Sequence, residues 1–471
     1  MAQTFFFYDL ETSGLNPRSH RIMQFAGQRT DMDLQPIGEP INLLVKLTEE
    51  VLPDPGAILV TGITPQKTLQ EGYTEAEFLK ILHDEVLKPN TIIVGFNNVR
   101  FDDEFMRYSL YRNFYDPYEW AWAEGRSRWD LLDVIRMTRA LRPEGIQWPF
   151  DAKGKATNRL ELLSGQNGLD HENAHDALND VQALIAVAQL IRSKQPKLFD
   201  YLFEHRSKQA ISEVVSVDNP QPFVYASGRY HSETLHATVA YPLAPSDKNG
   251  SVIVWDLRHD PTEWVDKSVD ELKSICFANR EQREMEGFVA LPAKELNMSR
   301  CPAVAPLGVL TDEAQQRIKL DLTTIEMHLK NLRAHRVLAD KLCEVFAPGN
   351  WPKQADVDAR LYDGFLNEKD KNALRVVRAA DANTLADFHP DFSDDRLGDL
   401  LLRYKARNFP TSLSEGERAA WEMYRTERLQ RDAETFTKAL MRMAQIKTDD
   451  QSQFILQELQ LWAESIMPSD E

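Results

Sequence analysis

Residues 5–14 read FFFYDLETSG, an aromatic run that leads directly into two carboxylates one residue apart. The segment Thr4–Tyr8 is apolar and β-prone, which favours a buried strand, and Ser13-Gly14 marks a turn after it. Because successive side chains on a strand alternate between its faces, Asp9 and Glu11 point the same way. Two carboxylates on one face repel each other unless a positive charge lies between them. The segment alone also permits a simpler interpretation, in which Glu11 caps the next segment of the chain and both carboxylates face water.

The composition is that of an ordinary globular protein of 471 residues, with 42% apolar and 27% charged residues. No apolar stretch reaches the roughly 20 residues that a membrane span requires, and the N-terminus lacks a secretory signal pattern. The three cysteines match neither a disulfide framework nor a zinc site. These features predict a cytoplasmic protein with no membrane association. The net charge of −18 argues against a protein that coats nucleic acid, although a local positive groove is still compatible with it.

Up to residue 195, candidate strands alternate with candidate helices, which predicts an α/β domain over residues 1–195. In the clearest helix, apolar residues recur at helical spacing and form one face. The predicted strands are Thr4–Tyr8, Ile41–Val45 and Thr91–Phe96, and the predicted helices are Thr74–Val86, Asp103–Arg112, Leu131–Leu141 and Ala177–Ile191.

From Pro220 the pattern changes to short strand candidates, with Asn249-Gly250 as a strong hairpin signal. This change predicts a small β-rich domain over residues 196–347 that ends in a helix at about Thr311–Phe346. A linker is predicted near residues 348–354. Residues 352–471 then read as a helical domain, in which Ser414 and Glu417 form a capping box.

Two further segments place carboxylates at the start of helices. In IIVGFNNVRFDDEF, residues 92–105, a buried strand runs into two asparagines, and Asp102 and Asp103 then open a helix, where such residues often act only as caps. In AHDALNDVQAL, residues 174–184, Asp180 lies inside an amphipathic helix. His175 lies five residues earlier, which is not the same helical face, so we expect it on the preceding loop. A single histidine there is usually a surface residue or a cap.

Together the segments read D-x-E, N-x-x-x-D and H-x-x-x-x-D, a pattern that resembles the DEDDh exonucleases. Longer blocks, among them NNVRFDDE, SRWDLLDV and ARNFP, are similar to the bacterial exodeoxyribonuclease I family. This resemblance implies a ribonuclease H-like α/β exonuclease domain, an SH3-like β-rich domain and an all-α C-terminal domain in a C-shaped monomer. It also implies a processive 3′→5′ exonuclease that degrades single-stranded DNA to 5′-mononucleotides in DNA repair and recombination.

The resemblance assigns the chemistry to five residues that hydrolyse a phosphodiester with two metal ions. Asp9, Glu11, Asp102 and Asp180 would hold two Mg²⁺ ions, with Mn²⁺ as a substitute, because hard oxygen ligands suit these cations. His175 would take the proton from the attacking water, a task that suits a side chain with a pKa near neutrality. On this interpretation, metal supplies the positive charge between Asp9 and Glu11.

The predicted substrate contacts lie after the metal strand and in neighbouring segments; they are Glu11, Thr12, Gly14, Thr61, Gly62, Asn97, Asn98, Arg112 and Arg128. VTGITP, residues 60–65, matches the segment that holds the 3′-terminal nucleotide in the family, and Gly62 lets backbone approach the sugar and base closely. Ordinary turn chemistry is an equal alternative for these glycine and asparagine positions. For the aromatic stretch FYDPYEWAW, residues 114–122, core packing competes with base stacking.

The family also docks the acidic C-terminal tail of single-stranded DNA-binding protein, and Arg142 and Tyr201 match positions in that pocket. A DEDDh exonuclease that trims RNA is an open alternative, since the same catalytic residues serve both substrates and the 2′-hydroxyl is read elsewhere. The length of the chain and its extra domains favour DNA. A binding module without catalysis is disfavoured because all five catalytic positions are present, and the absence of Cys/His ligand spacing disfavours a zinc enzyme.

Overall fold

The computed structural model describes residues 2–169, 176–349 and 354–468. The chain folds into two compact units. The first unit comprises residues 2–127, 176–182 and 354–468, and the second comprises residues 128–169 and 183–349. Within these described ranges, no helix combines the length and the apolar character that crossing a membrane requires.

Strands and short helices alternate through the N-terminal part of the chain. Up to residue 125 the strands are β1 (Thr4–Thr12), β2 (Ile22–Thr30), β3 (Ile41–Leu44) and β4 (Thr91–Gly95), and the helices are α1 (Pro55–Thr61), α2 (Pro65–Glu71), α3 (Glu75–Ile81) and α4 (Asp102–Arg112).

The middle of the chain begins with a short strand, continues with helices and then contains a set of strands. In chain order its elements are β5 (Ser127–Asp130), α5 (Leu131–Leu141), α6 (Leu160–Gln166), α7 (Ala177–Lys194), α8 (Pro196–Glu204), α9 (Lys208–Val214), β6 (Phe223–Ala226), β7 (Ala237–Pro245), β8 (Ser251–Asp256), α10 (Thr262–Val265), α11 (Val269–Cys276), α12 (Arg280–Glu284), β9 (Ala293–Asn297), β10 (Ala303–Pro306), α13 (Asp312–Arg317), α14 (Leu322–Ala334) and α15 (Val337–Phe346). The last described segment is helical and contains α16 (Glu368–Ala379), α17 (Ala382–Ala386), α18 (Arg396–Asn408), α19 (Glu415–Ile446) and α20 (Asp450–Ile466).

Strand β1 is the centre of the sheet in the first unit. It pairs antiparallel with β2 and parallel with β4, and β3 adds to the outer side of β2. The predicted strand ended at Tyr8, whereas β1 continues to Thr12 because pairing with β2 extends that far. The register slips between Glu11 and Thr12, and such an irregularity bends a strand and redirects its side chains. Strand β2 was not predicted, since polar residues interrupt its apolar pattern.

The C-terminal helices share their core with the N-terminal strands and helices of the first unit. Met23, Leu47 and Ile58 pack in one buried cluster with Leu459 of α20 and Leu429 of α19. Burying each such side chain stabilises the fold by about 1.5–3 kcal/mol. Helix α19 begins with the predicted capping box of Ser414 and Glu417, which is confirmed.

The second unit contains an antiparallel sheet in the order β10-β6-β7-β8-β9. The hairpin predicted at Asn249-Gly250 is confirmed: β7 pairs with β8 across this turn, where Gly250 has a φ of 75°. The single helix predicted over Thr311–Phe346 is wrong. Lys319 has a φ of 53°, which breaks the helix, and Asp321 then caps α14 through its side chain. A second break at His335 separates α14 from α15.

Candidate active site

Asp9 and Glu11 lie near the carboxyl end of β1, one residue either side of Leu10. Leu10 is buried in the apolar cluster on one face of the sheet. Strand alternation therefore places both carboxylates on the opposite face, as the sequence predicts. Both side chains are half-buried.

Helix α7 brings the third carboxylate to the end of β1. Asp180 lies in the first turn of α7, and its backbone N–H donates to the carbonyl oxygen of Asp176 at 3.1 Å. One carboxylate oxygen from each of Asp9, Glu11 and Asp180 lies within 4.8 Å of the other two. We refer to these three residues as the carboxylate cluster.

The electrostatics of the carboxylate cluster are unfavourable without a cation. Burial raises the pKa of Asp9 to about 8, and the charge of Asp180 adds to this effect. Burial also raises the pKa of Glu11 to about 9, with further contributions from Asp9, Asp180 and Asp176. Arg and Lys side chains of the described residues are not among the main influences on either pKa. A divalent cation would displace these protons and neutralise the repulsion, so the donor set fits a hard metal ion.

Asp102 opens α4 and is 5% exposed, and its neighbour Asp103 is also buried. Asp103 accepts a hydrogen bond from the hydroxyl of Tyr8 at 2.8 Å. Burial raises the pKa of Tyr8 well above its usual range, and the charges of Asp103 and Asp102 raise it further. Asp102 is not one of the three residues of the carboxylate cluster. The structure thus brings together three of the four predicted metal ligands.

The predicted base, His175, lies outside the described residues. Its neighbour Asp176 is described and caps α7, because its Oδ1 accepts from the backbone N–H of Leu178 at 3.0 Å.

A cavity of about 560 Å³ is lined by residues at the end of α1, at the start of α7 and at the start of α20, and by Gln24 of β2. Thr61 and Gly62 contribute to its wall, together with Asp176 and Asn179 from the start of α7. Gly62 ends α1 with a φ of 68°, which favours glycine, and no atom lies within 4 Å of where a Cβ would be. The predicted nucleotide segment therefore presents open backbone to a cavity beside Asp176.

Three sequence profiles cover the chain in order. The profile described as Exonuclease matches residues 6–188, the Exonuclease I SH3-like domain matches residues 206–348, and the Exonuclease I C-terminal domain matches residues 355–466. The exodeoxyribonuclease I of Haemophilus influenzae is 40% identical over 456 residues, which cover 96% of each chain. This chain belongs to the exodeoxyribonuclease I family.

Solved structures of exodeoxyribonuclease I have the same fold. Escherichia coli exonuclease I in complex with a dA16 oligonucleotide has a TM-score of 0.95 at 37% identity, covering 99% of this chain and 100% of that chain. The zinc-bound form of the E. coli complex with single-stranded DNA has a TM-score of 0.95 at 37% identity, again covering 99% and 100%. The predicted combination of an α/β exonuclease domain, an SH3-like domain and a helical C-terminal domain is therefore confirmed.

Two of the predicted substrate residues are buried. Arg112 is 1% exposed and forms an ion pair with Glu75 at 2.7 Å, which joins α4 to α3. Asn98 is 0% exposed. Asn97 is half-buried with a φ of 63°, which is the turn conformation weighed as the alternative.

The other predicted contacts form hydrogen bonds or close contacts within their own unit. The Thr12 hydroxyl donates to the carbonyl oxygen of Gly14 at 2.9 Å, and a Cβ on Gly14 would lie 2.5 Å from the ring of His20. These two residues therefore shape the turn after β1. In the second unit, Arg128 donates to the carbonyl oxygen of Ser299 at 2.9 Å.

The sequence predicted only part of an aromatic surface in the first unit. Tyr118, from the predicted stretch, lies 5.7 Å from Phe365 and 6.5 Å from Tyr362 between ring centroids, and Arg107 stacks over its ring at 5.9 Å. Phe365 is 86% exposed, and Trp122, from the same stretch as Tyr118, is 62% exposed. Residues 362 and 365 could not be predicted as part of this surface, because only the fold brings them to Tyr118.

Proposed function

We propose that this member of the exodeoxyribonuclease I family is a metal-dependent 3′→5′ exonuclease that degrades single-stranded DNA to 5′-mononucleotides. The observation that carries the proposal is the carboxylate cluster, whose pKa values are raised by burial and mutual repulsion. Strongly perturbed carboxylates at one end of a sheet are typical of a catalytic site. The oligonucleotide complexes of the E. coli relative support single-stranded DNA as the substrate.

The chain's own residues supply the ligands and the proton acceptor. Asp9 and Glu11 offer oxygens from β1, and Asp180 offers one from α7. We assign Asp102 to complete the ligand set and His175 to accept the proton of the attacking water. When bound, two Mg²⁺ ions would stabilise the charge on the attacking and leaving oxygens, with Mn²⁺ as a substitute. The zinc in the E. coli relative supports a divalent metal in general, and our choice of Mg²⁺ rests on the all-oxygen ligands.

The substrate path is assigned from the cavity and the aromatic surface. We place the 3′-terminal nucleotide against the backbone of Thr61 and Gly62, in the cavity that also contains Asp176. The exposed rings of Trp122 and Phe365 offer stacking platforms, which are worth about 1–3 kcal/mol per base. The remaining substrate contacts that we propose are Glu11, Thr12, Gly14, Asn97, Asn98, Arg112 and Arg128. Enclosure of the strand in a positively charged groove would explain processive digestion by an acidic protein.

We further propose that the second unit binds the acidic C-terminal tail of single-stranded DNA-binding protein, as part of a cytoplasmic role in DNA repair and recombination. Arg142 donates to the carbonyl oxygens of Leu141 and Val309 at 2.7 and 3.0 Å, and it remains half-buried. The Tyr201 ring stacks on His205 at 4.0 Å, and its hydroxyl makes no hydrogen bond to the described residues. If Arg142→Ala binds a tail peptide as tightly as wild type and the exposed-site control Arg280→Ala, this docking proposal is wrong.

The central experiment uses a 5′-labelled single-stranded DNA oligonucleotide and an RNA of the same sequence, each with Mg²⁺ and with EDTA. We compare wild type with Asp9→Ala and with Glu39→Gln, which changes an exposed carboxylate. Digestion of DNA from its 3′ end that is lost in EDTA and in Asp9→Ala supports the proposal. Faster loss of RNA would favour the RNA-trimming alternative, and no metal-dependent degradation of either would favour a binding module.

A further inference from the structure

Strand β2 carries a buried polar side chain directly opposite the metal strand. Gln24 is 5% exposed and pairs with Glu11 in the antiparallel register of β1 and β2. Directly opposed residues on antiparallel strands share one face of the sheet. Gln24 therefore lies beside the carboxylate cluster, on the same face.

The amide of Gln24 joins this sheet to the start of α7. Its Nε2 donates to Asn42 Oδ1 at 2.9 Å and to Asp176 Oδ2 at 3.4 Å, and its Oε1 accepts from the backbone N–H of Ala177 at 3.5 Å. Ala177 is the first residue of α7, where backbone N–H groups have no partner within the helix. Asn42, on β3, fixes which way the amide points.

These contacts lie one helical turn from Asp180. Asp176 caps α7 with one carboxylate oxygen and meets Gln24 with the other. Its carbonyl oxygen accepts from the backbone N–H of Asp180 at 3.1 Å, as the hydrogen bond that begins the helix. A displacement of Asp176 therefore moves Asp180 with it.

We infer that Gln24 is a positioning residue, which sets the start of α7 against β1 so that Asp180 meets Asp9 and Glu11 at metal-binding distance. The inference rests on the proposed function, because it concerns the same metal site. Gln24 acts through Asp176 and Ala177 and supplies no metal ligand itself. Loss of such an outer partner typically lowers metal affinity or activity by about 10–100-fold.

The variant Gln24→Met tests this inference because methionine keeps the length and burial of the side chain and removes its hydrogen bonds. Gln28→Met is the matched control. Gln28 lies on the same strand at 6% exposure, and its Nε2 donates to the carbonyl oxygens of Arg29, Ile37 and Gly38, away from the cluster. We titrate the full chain with Mn²⁺ in the absence of DNA and follow free Mn²⁺ by electron paramagnetic resonance. We expect Gln24→Met to weaken Mn²⁺ binding about 10–100-fold and Gln28→Met to leave it unchanged.

Steady-state kinetics on a labelled oligonucleotide at saturating Mg²⁺ separate positioning from substrate binding. We expect kcat of Gln24→Met to fall about 10–100-fold. Gln24 also lines the cavity assigned to the 3′-terminal nucleotide, so a rise in KM with no fall in kcat would mean that Gln24 acts on the substrate and would overturn the positioning role. If Gln24→Met does not fold, Asn42→Ala serves as the second variant. Asn42 is exposed, and its substitution removes one hydrogen-bond partner of the Gln24 amide. We expect that variant to weaken Mn²⁺ binding about fivefold, the equivalent of one neutral hydrogen bond.

The outcomes distinguish this inference from the proposed function. Wild-type Mn²⁺ affinity in Gln24→Met, or an equal loss in Gln28→Met, overturns the positioning role and leaves the metal site in place. If wild type binds Mn²⁺ no better than Asp9→Asn does, the proposed function fails and the inference fails with it.

Discussion

The first unit contains a half-buried and a fully buried group of carboxylates, and their pKa values shift in opposite directions. The carboxylate cluster has raised pKa values, about 8 for Asp9 and about 9 for Glu11. Glu50 and Asp358, which we call the arginine-paired carboxylates, are both 0% exposed, yet the pKa of Glu50 is lowered to about 2 and that of Asp358 lies well below its usual range. Burial raises the pKa in both groups, so the difference lies in the neighbours.

Arginines surround the second group. Arg407 contacts Asp358 at 2.5 Å and Glu50 at 3.0 Å, and Arg21 contacts the same two carboxylates at 3.2 and 3.1 Å. Their attraction, with that of Arg403 and Arg428, outweighs the desolvation that burial causes. The fold thus neutralises these carboxylates with its own side chains.

The two groups are joined through the turn after β1. The backbone N–H of Arg21 donates to Ser13 Oγ at 2.9 Å, and the backbone N–H of Ser13 donates to the carbonyl oxygen of Arg21 at 2.9 Å. Ser13 lies two residues after Glu11. The arginine-paired group therefore braces the end of the strand that carries the cluster. A buried carboxylate that has its own arginine is neutralised within the fold, whereas half-buried carboxylates that repel one another are suited to binding a cation.

The largest expected effect comes from Asp9→Asn, which removes one charge from the cluster. We expect nuclease activity to fall by about a thousandfold or more, because a metal ligand is lost from the transition state. The thermal midpoint in EDTA should not fall, since the substitution relieves repulsion between the half-buried carboxylates of the cluster. Activity assays and thermal melts of the same preparation measure both effects. A lower thermal midpoint for Asp9→Asn in EDTA would contradict the contrast between the carboxylate cluster and the arginine-paired carboxylates.

Asp358→Asn should lower the stability of the protein, whereas Asp9→Asn should lower its activity. Removing one partner of a buried ion pair leaves its arginines uncompensated, so we expect the free energy of unfolding to fall by about 3–5 kcal/mol. Asp395→Asn is the control, because Asp395 is 75% exposed in its ion pair with Arg360 and should contribute about 0–1 kcal/mol. Urea unfolding followed by fluorescence measures both variants. Equal losses in the two would show that burial does not distinguish these pairs.

The sequence predicted most of this site because its signals are local. The alternation of Asp9, Leu10 and Glu11 follows from the period of a strand, and Asp180 lies in a helix with a clear apolar face. The arginine-paired group was not predictable, since Asp358 and Arg407 reach Glu50 only through the packing of distant segments. Gln24 was missed for a related reason: Gln24 and Gln28 interrupt the apolar pattern of β2, and their burial depends on partners elsewhere in the chain.

The burial of Arg112 could not be predicted from the sequence. Arg112 was predicted as a substrate contact because it lies near aromatic residues in the sequence. In the fold it is paired with Glu75 inside the protein. The helix predicted over Thr311–Phe346 failed for a local reason, because a single left-handed residue at Lys319 is enough to end a helix whose composition would otherwise continue it.

Metal binding should stabilise the protein through the carboxylate cluster and not through the arginine-paired carboxylates. At a Mg²⁺ concentration about 100 times the dissociation constant, we expect the wild type to gain about 2.7 kcal/mol of stability over the same protein in EDTA. Asp9→Asn should lose this increment, because its cluster binds the ion weakly. Glu50→Gln should keep this gain in stability, although its stability in EDTA should be lower than that of wild type. Thermal melts with and without Mg²⁺ measure this gain in stability. Loss of the gain in Glu50→Gln would indicate that the ion binds at the arginine-paired carboxylates and not at the carboxylate cluster.

The smallest expected effect is on acid sensitivity, to which many carboxylates contribute. The pKa of Glu50 is about 2 in the folded protein, below the value of about 4.3 for an unfolded glutamate. A lowered folded-state pKa contributes stability that is fully present above the unfolded pKa and is lost as the pH falls through the folded pKa. The contribution of Glu50 should therefore disappear between about pH 5 and pH 2. Urea unfolding at a series of pH values should show a shallower acid loss in Glu50→Gln than in wild type. Equal losses of stability with falling pH in the two proteins would mean that the surrounding arginines do not stabilise the charged form of Glu50 relative to water.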